Sequence, residues 1–83
     1  MEKKELEFTI KMLVDNVNLY SREVEIAKKR NLPMIEQDYF SRILGIDTAM
    51  RYFGYTLQED GRRADCREGI EPIEYMHYKV IKR

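Results

Sequence analysis

The segment that decides the fold is LEFTIKMLVDNVNLYSREVEIA, residues 6–27. Its apolar residues recur at alternating steps of four and three, which is the heptad pattern of a helix that packs along one seam. The a positions are Ile10, Val17 and Val24, and the d positions are Leu6, Leu13, Tyr20 and Ala27. We therefore predict one long helix over residues 3–30, with another helix packed beside it.

A second apolar row runs along the same helix. Met12, Leu19 and Ile26 occupy the c positions, about 100° around the helix from the d positions. The apolar arc is therefore wider than a single helix–helix seam requires. We expect this helix to have at least two neighbours.

The heptad spacing continues after a short break at residues 31–33. Pro33 suits the first turn of a new helix, and further apolar residues follow at Tyr39, Ile43, Ile46, Met50, Phe53 and Leu57. This pattern predicts a second helix over residues 34–58. Because the link is short, the two helices should form an antiparallel αα-hairpin. Gly45 lies inside the second helix, where the sequence permits either a continuous helix or a break.

The last third of the chain changes character. Residues 59–72 combine glycine with charged residues and predict an irregular loop. Residues 73–81 are rich in β-branched and aromatic side chains and predict a C-terminal β-strand. A single strand leaves its backbone unpaired, so this one needs a partner from residues 54–58 or from a second copy. The predicted fold is a mainly α single domain over residues 1–83, completed by dimerisation.

Composition limits the classes of function. The chain has 83 residues, with 15 Lys and Arg against 15 Asp and Glu, a net charge of zero. It is too short for a multidomain enzyme and too balanced in charge for a general polyanion binder. We expect no signal peptide and no membrane association, because the first residues are charged and lead into no long apolar run. The single cysteine, Cys66, favours a cytoplasmic location.

Few side chains are suited to catalysis or to metal binding. Cys66 and His77 are the only cysteine and histidine of the chain, and a structural zinc site needs about four such ligands. They are eleven positions apart, with Gly69 and Pro72 between them, so no regular element brings them together. We predict a protein that is not an enzyme and holds no cofactor or metal.

Residues 37–53 resemble a helix-turn-helix motif. Ser41 is the small residue that lets two helices approach, Gly45 would form the turn and Asp47 would cap the second helix. The resemblance implies a DNA-binding transcriptional regulator that reads bases with Thr48, Arg51 and Tyr52. The heptad repeat explains the same residues without a turn, and residues 32–59 hold two arginines against four acidic residues. DNA binding is therefore the alternative hypothesis, and a continuous helix is favoured.

The leading hypothesis is a non-catalytic module that binds a protein partner. The broad apolar arc, the unpaired strand and the excess of tyrosine and methionine are typical of surfaces that contact other proteins. Small adaptors, regulators and inhibitors from phages or other mobile elements have a similar size and composition. The predicted contact residues are Arg62, Arg63, Arg67, Tyr75 and Tyr78. The expected partners are another protein and a second copy of the chain.

Overall fold

Two antiparallel helices followed by a two-stranded antiparallel sheet form the architecture of the computed structural model, which describes residues 2–65 and 71–83. Helix α1 spans Lys3–Lys29 and helix α2 spans Pro33–Tyr52. Strand β1 spans Tyr55–Asp65 and strand β2 spans Ile73–Lys82. The predicted helical hairpin and C-terminal strand are confirmed.

The heptad pattern of α1 correctly identifies the buried side of this helix. Its three a positions are buried, and the d position Ala27 is also buried. The helix has two neighbours, as expected, because it packs against both α2 and β2. However, Met12 and Leu19 of the c row do not form these contacts, since they are 49% and 50% exposed.

The connection between the helices is a Schellman motif. Asn31 adopts a positive φ of 56°, which asparagine tolerates better than most residues. The Asn31 N–H donates to the carbonyl of Lys28, and the Leu32 N–H donates to the carbonyl of Ala27. Pro33 then begins α2, so the chain reverses within three residues.

Helix α2 ends six residues earlier than predicted, at Tyr52 rather than at residue 58. Gly54 takes a φ of 84°, which stops the helix and turns the chain into β1. Leu57 still packs against the core, but it does so from the strand. The heptad count could not separate these cases, because an apolar residue at that position serves either structure.

The predicted loop at residues 59–72 is wrong for residues 59–65, which belong to β1. Glu59, Arg62 and Arg63 are exposed there, so the strand lacks the apolar alternation that identifies strands in sequences. A β-bulge interrupts the pairing between Glu59 and Arg62. Gly61 has a φ of 79° within this bulge, a conformation that favours glycine.

Strand β2 obtains its partner from the same chain, and α1 covers its outer edge. Its register with β1 begins with Tyr55 opposite Lys82. On the other side, the Asn18 amide donates to the Tyr78 carbonyl at 3.0 Å and accepts from the Tyr78 N–H at 2.7 Å. Ser21 Oγ donates to the Met76 carbonyl at 2.6 Å. The strand therefore gives no reason to expect a second copy as its partner.

The core consists of two adjoining clusters between the helices and the sheet. One is formed by Ile10, Val14 and Met50, and the other by Val17, Val24 and Ile43. Ile46 and Leu57 pack against both clusters and so join them. Neither described helix combines the length and apolar content needed to cross a membrane.

Candidate protein-binding surfaces

Helix α1 carries a row of apolar side chains that no other described element covers. We call this row the α1 stripe; it consists of Phe8, Met12 and Leu19. Phe8 is 66% exposed, and the other two are about half exposed. At 100° per residue the three lie within about 40° of one another. Large exposed apolar patches on a protein surface typically mark sites that contact other proteins or membranes.

Helix α2 exposes a second and broader apolar surface. We call it the α2 face; its large side chains are Met34, Phe40, Leu44 and Tyr52, and Gln37, Ser41, Gly45 and Thr48 lie between them. Met34 is 84% exposed and Tyr52 is 86% exposed. Helical geometry places all eight residues within an arc of about 140°. The opposite side of α2 packs into the core through Ile43 and Met50.

The α2 face carries almost no charge. Arg51 is the one charged residue of α2 in that arc, and its guanidinium lies 3.1 Å from the Asp47 carboxylate one turn away. Gly45 leaves a shallow area at one edge of the face, about halfway along α2, since a Cβ built there meets nothing within 4 Å. The face therefore carries a single charged side chain, which is paired within the helix, and it is open to close approach.

The turn expected in the helix-turn-helix hypothesis does not occur, because α2 continues through Gly45 without interruption. The three proposed base-reading residues, Thr48, Arg51 and Tyr52, nevertheless lie together on its exposed side. They share this surface with the apolar residues of the α2 face. Asp47 caps no second helix; one of its carboxylate oxygens accepts a hydrogen bond from the Leu57 N–H at 3.2 Å.

The sheet hairpin brings together two of the five predicted contact residues. Arg63 lies directly opposite Tyr75 in the register of β1 and β2. Arg63 Nη2 lies 3.5 Å from the Asp60 carboxylate, and His77 Nδ1 lies 3.3 Å from the same carboxylate. The His77 nitrogen makes no hydrogen bond in this position. These four side chains form a polar cluster beside the β-bulge.

The other predicted contact residues are placed differently. Arg62 lies beside Glu74, whose backbone carbonyl accepts a hydrogen bond from Arg62 Nη2 at 3.3 Å. Tyr78 packs against the core cluster between the helices. Burial there raises the pKa of its hydroxyl above the usual 10.0, and the Glu59 carboxylate raises it further. Arg67 lies outside the described residues.

The described side chains were compared with the arrangements that hold a metal ion or activate a serine. Across residues 2–65 and 71–83, no cluster of three or more His, Cys, Asp or Glu side chains is arranged to hold a metal ion. The Ser21 hydroxyl donates a hydrogen bond to the Met76 carbonyl. Cys66 lies outside the described residues. The exposed apolar surfaces are therefore the more distinctive features.

Sequence reasoning missed most of these surfaces. Phe8, Met34, Phe40 and Leu44 lie away from the heptad seams, so the heptad pattern does not identify them. The available signal is that they are large apolar residues at positions the heptad leaves to solvent. Met12 and Leu19 belong to the c row, for which the sequence predicts neighbours within the fold.

No protein-family model matches the chain, and neither a curated protein nor a solved structure shows significant similarity to it.

Proposed function

We propose that this chain is a non-catalytic protein-binding module, an adaptor, regulator or inhibitor that acts by occupying a surface of its partner. The observation that carries the proposal is the pair of uncovered apolar rows on the two helices. A phage or other mobile element is the kind of source that this size and composition favour. The proposal includes a cytoplasmic location, because a single cysteine cannot form the intramolecular disulfides that are typical of small secreted domains.

The α1 stripe is the primary contact with the partner. Burying a side chain such as Phe8, Met12 or Leu19 contributes about 1.5–3 kcal/mol each, and methionine and aromatic residues are enriched at interface cores. Asp15 is exposed near these residues, so it supplies a polar rim. The matching surface on the partner is an apolar groove that accepts one face of a helix.

The hairpin residues supply a secondary, polar contact. Arg62, Arg63 and Tyr75 remain the predicted contact residues on this part of the molecule. The two arginine side chains are about half exposed and lie 3.8 Å from Glu74 and 3.5 Å from Asp60, so a partner carboxylate would compete with these intramolecular contacts. Charged contacts at such a rim affect association rate and specificity more than affinity.

A capture experiment with matched variants tests the proposal. The wild-type chain, Leu19→Glu and Lys11→Glu are immobilised and exposed to a lysate of the cells that encode the protein. Both substitutions place a glutamate on the exposed side of α1, but Lys11 lies about 80° from the stripe. We expect one protein to be retained by the wild type and by Lys11→Glu and to be lost with Leu19→Glu. Equal retention by all three, or none by any of them, contradicts the proposal.

A further inference from the structure

We propose that two copies of the chain associate into a symmetric dimer by packing their α2 faces antiparallel. This inference rests on the proposed function, because both assume that the exposed apolar faces of the helices bind proteins. It goes further by assigning the α2 face to a second copy and the α1 stripe to another protein. The argument uses the arrangement of the face, its charge and the surface area of the molecule.

The large apolar side chains of the α2 face lie on two flanks. Met34 and Tyr52 are eighteen positions apart, which is five full helical turns, so they point in the same direction. Phe40 and Leu44 point about 100° away from them. Gln37, Ser41 and Thr48 lie between the flanks and are uncharged, and Gly45 lies about 20° beyond the flank of Met34 and Tyr52. Another helix can therefore approach along the middle and contact both flanks.

The face is complementary to itself about a two-fold axis near residues 42 and 43. In an antiparallel pair of helices, each flank meets the same flank of the second copy. Around this axis Phe40 lies opposite Leu44 of the second copy, and Met34 lies opposite Tyr52 of the second copy. Both pairs are chemically favourable, since one joins an aromatic ring to an aliphatic side chain and the other joins a thioether to a ring. Each contact occurs twice in the dimer.

Four of the five charged side chains of α2 are paired within the helix, and the fifth, Glu36, lies about 40° outside the face and has no ion pair among the described residues. Arg51 Nη2 lies 3.1 Å from the Asp47 carboxylate, and Arg42 Nη2 lies 3.2 Å from the Asp38 carboxylate. Arg42 also stacks on the rings of Tyr20 and Tyr39. An acidic or basic partner would find at most one unpaired charge of opposite sign here. A second face with equally little charge is the better match, and the chain supplies one.

The surface area of the molecule is consistent with one covered face per copy. The chain exposes 6210 Å², whereas a monomer of 10.0 kDa typically exposes about 5,200 Å². The excess of about 1,000 Å² exceeds the area of about 800 Å² that each partner contributes to a stable interface. The radius of gyration of 14.0 Å also exceeds the value of about 12 Å expected for a compact chain of this length.

Sedimentation equilibrium of the full chain provides the first test. We expect the wild type to approach twice its 10.0 kDa mass at micromolar concentration. Leu44→Glu should raise the dissociation constant about a hundredfold, because each dimer loses two buried leucines. Lys11→Glu on α1 is the control and should leave the mass unchanged. Circular dichroism confirms that each variant is folded.

Disulfide trapping tests the antiparallel register. Met34→Cys and Tyr52→Cys are prepared separately, each with Cys66→Ser, and are mixed in equal amounts before oxidation. The antiparallel pair predicts that the mixed disulfide between positions 34 and 52 dominates. A parallel pair predicts disulfides between identical positions, and that result would overturn the inference.

The results separate this inference from the proposed function. If the wild type remains at 10.0 kDa across the micromolar range, the dimer is refuted, whereas capture of a partner through the α1 stripe is unaffected. If the dimer forms but Leu19→Glu still captures the partner, the assignment of α1 fails and the dimer stands.

Discussion

The buried methionine at position 50 and the exposed one at position 34 lie on the same helix and allow a direct comparison. Met50 is fully buried, whereas Met34 is 84% exposed. Met50→Ala removes packing from the core and should lower the free energy of unfolding by about 2–5 kcal/mol. Met34→Ala should change it by less than about 0.5 kcal/mol. Urea denaturation of both variants under dilute, monomeric conditions checks this difference, and similar effects would contradict the placement of α2.

Asn18 connects α1 to β2 through both its amide nitrogen and its carbonyl oxygen. Asn18→Ala leaves the partly buried N–H and carbonyl of Tyr78 without these hydrogen bonds. We expect the free energy of unfolding to fall by about 1–3 kcal/mol. Asn16→Ala, at an exposed position of the same helix, is the control and should be nearly neutral. A neutral result for both would show that α1 does not cover the edge of β2.

The burial of Tyr78 predicts a specific loss of stability at alkaline pH. Burial, and secondly Glu59, raise the pKa of its hydroxyl above 10.0 in the folded chain, whereas the unfolded chain ionises near pH 10. The resulting stabilisation is complete below the unfolded pKa and is lost as the pH rises through the folded pKa. Tyr78→Phe should therefore flatten the decline in stability above pH 10. Thermal unfolding between pH 8 and 11, with Tyr52→Phe as control, measures this; identical slopes would contradict it.

At the scale of elements, two of the three described glycines, at positions 45 and 61, should respond in opposite ways to substitution by alanine. Gly45 lies inside continuous α2 with nothing within 4 Å of an added Cβ, so Gly45→Ala should stabilise the monomer by up to about 1 kcal/mol. Gly61 has a φ of 79°, so Gly61→Ala should destabilise it by about 1–2 kcal/mol. Denaturation at low protein concentration, where the chain is monomeric, separates these effects from dimer formation. A destabilising Gly45→Ala would indicate a turn in α2.

Helix positions could be predicted from the sequence more fully than strand positions. The seam from Leu6 to Ala27 repeats over nearly the whole of α1, so its period identifies both the helix and its buried side. Strand β1 has no such repeat, because Glu59, Arg62 and Arg63 face solvent while its backbone is held by pairing with β2. That pairing depends on residues distant in the sequence, which a local pattern does not contain.

At the scale of the whole molecule, the surfaces were harder to predict than the core. Core residues can be identified from the sequence because they recur at the heptad spacing. Phe40 and Leu44 can be assigned to a surface only when the structure shows that their side of α2 is exposed. The pairing of Arg63 with Tyr75 likewise depends on the register of the hairpin. Arg62, Arg63 and Tyr75 stay predicted contact residues.

The arrangement of α2 also bears on the DNA-binding alternative. Thr48, Arg51 and Tyr52 are exposed together, but Arg51 is paired with Asp47. Gly45 lies inside α2, so it does not form the turn between two helices that the motif requires. Phosphate neutralisation, which supplies much of the affinity for DNA, has few unpaired cations to draw on along this helix. DNA binding therefore remains the less favoured hypothesis for this surface.

Site-specific photo-crosslinking inside the cell tests the proposed function most directly. A photoreactive aromatic amino acid is placed at Leu19, within the α1 stripe, or at Lys11, about 80° away on the same helix. We predict a discrete crosslinked species of higher mass from position 19 that is absent from position 11. Crosslinks of equal yield at both positions, or none at position 19, would contradict the account that this chain acts by placing the apolar stripe of α1 against a partner protein.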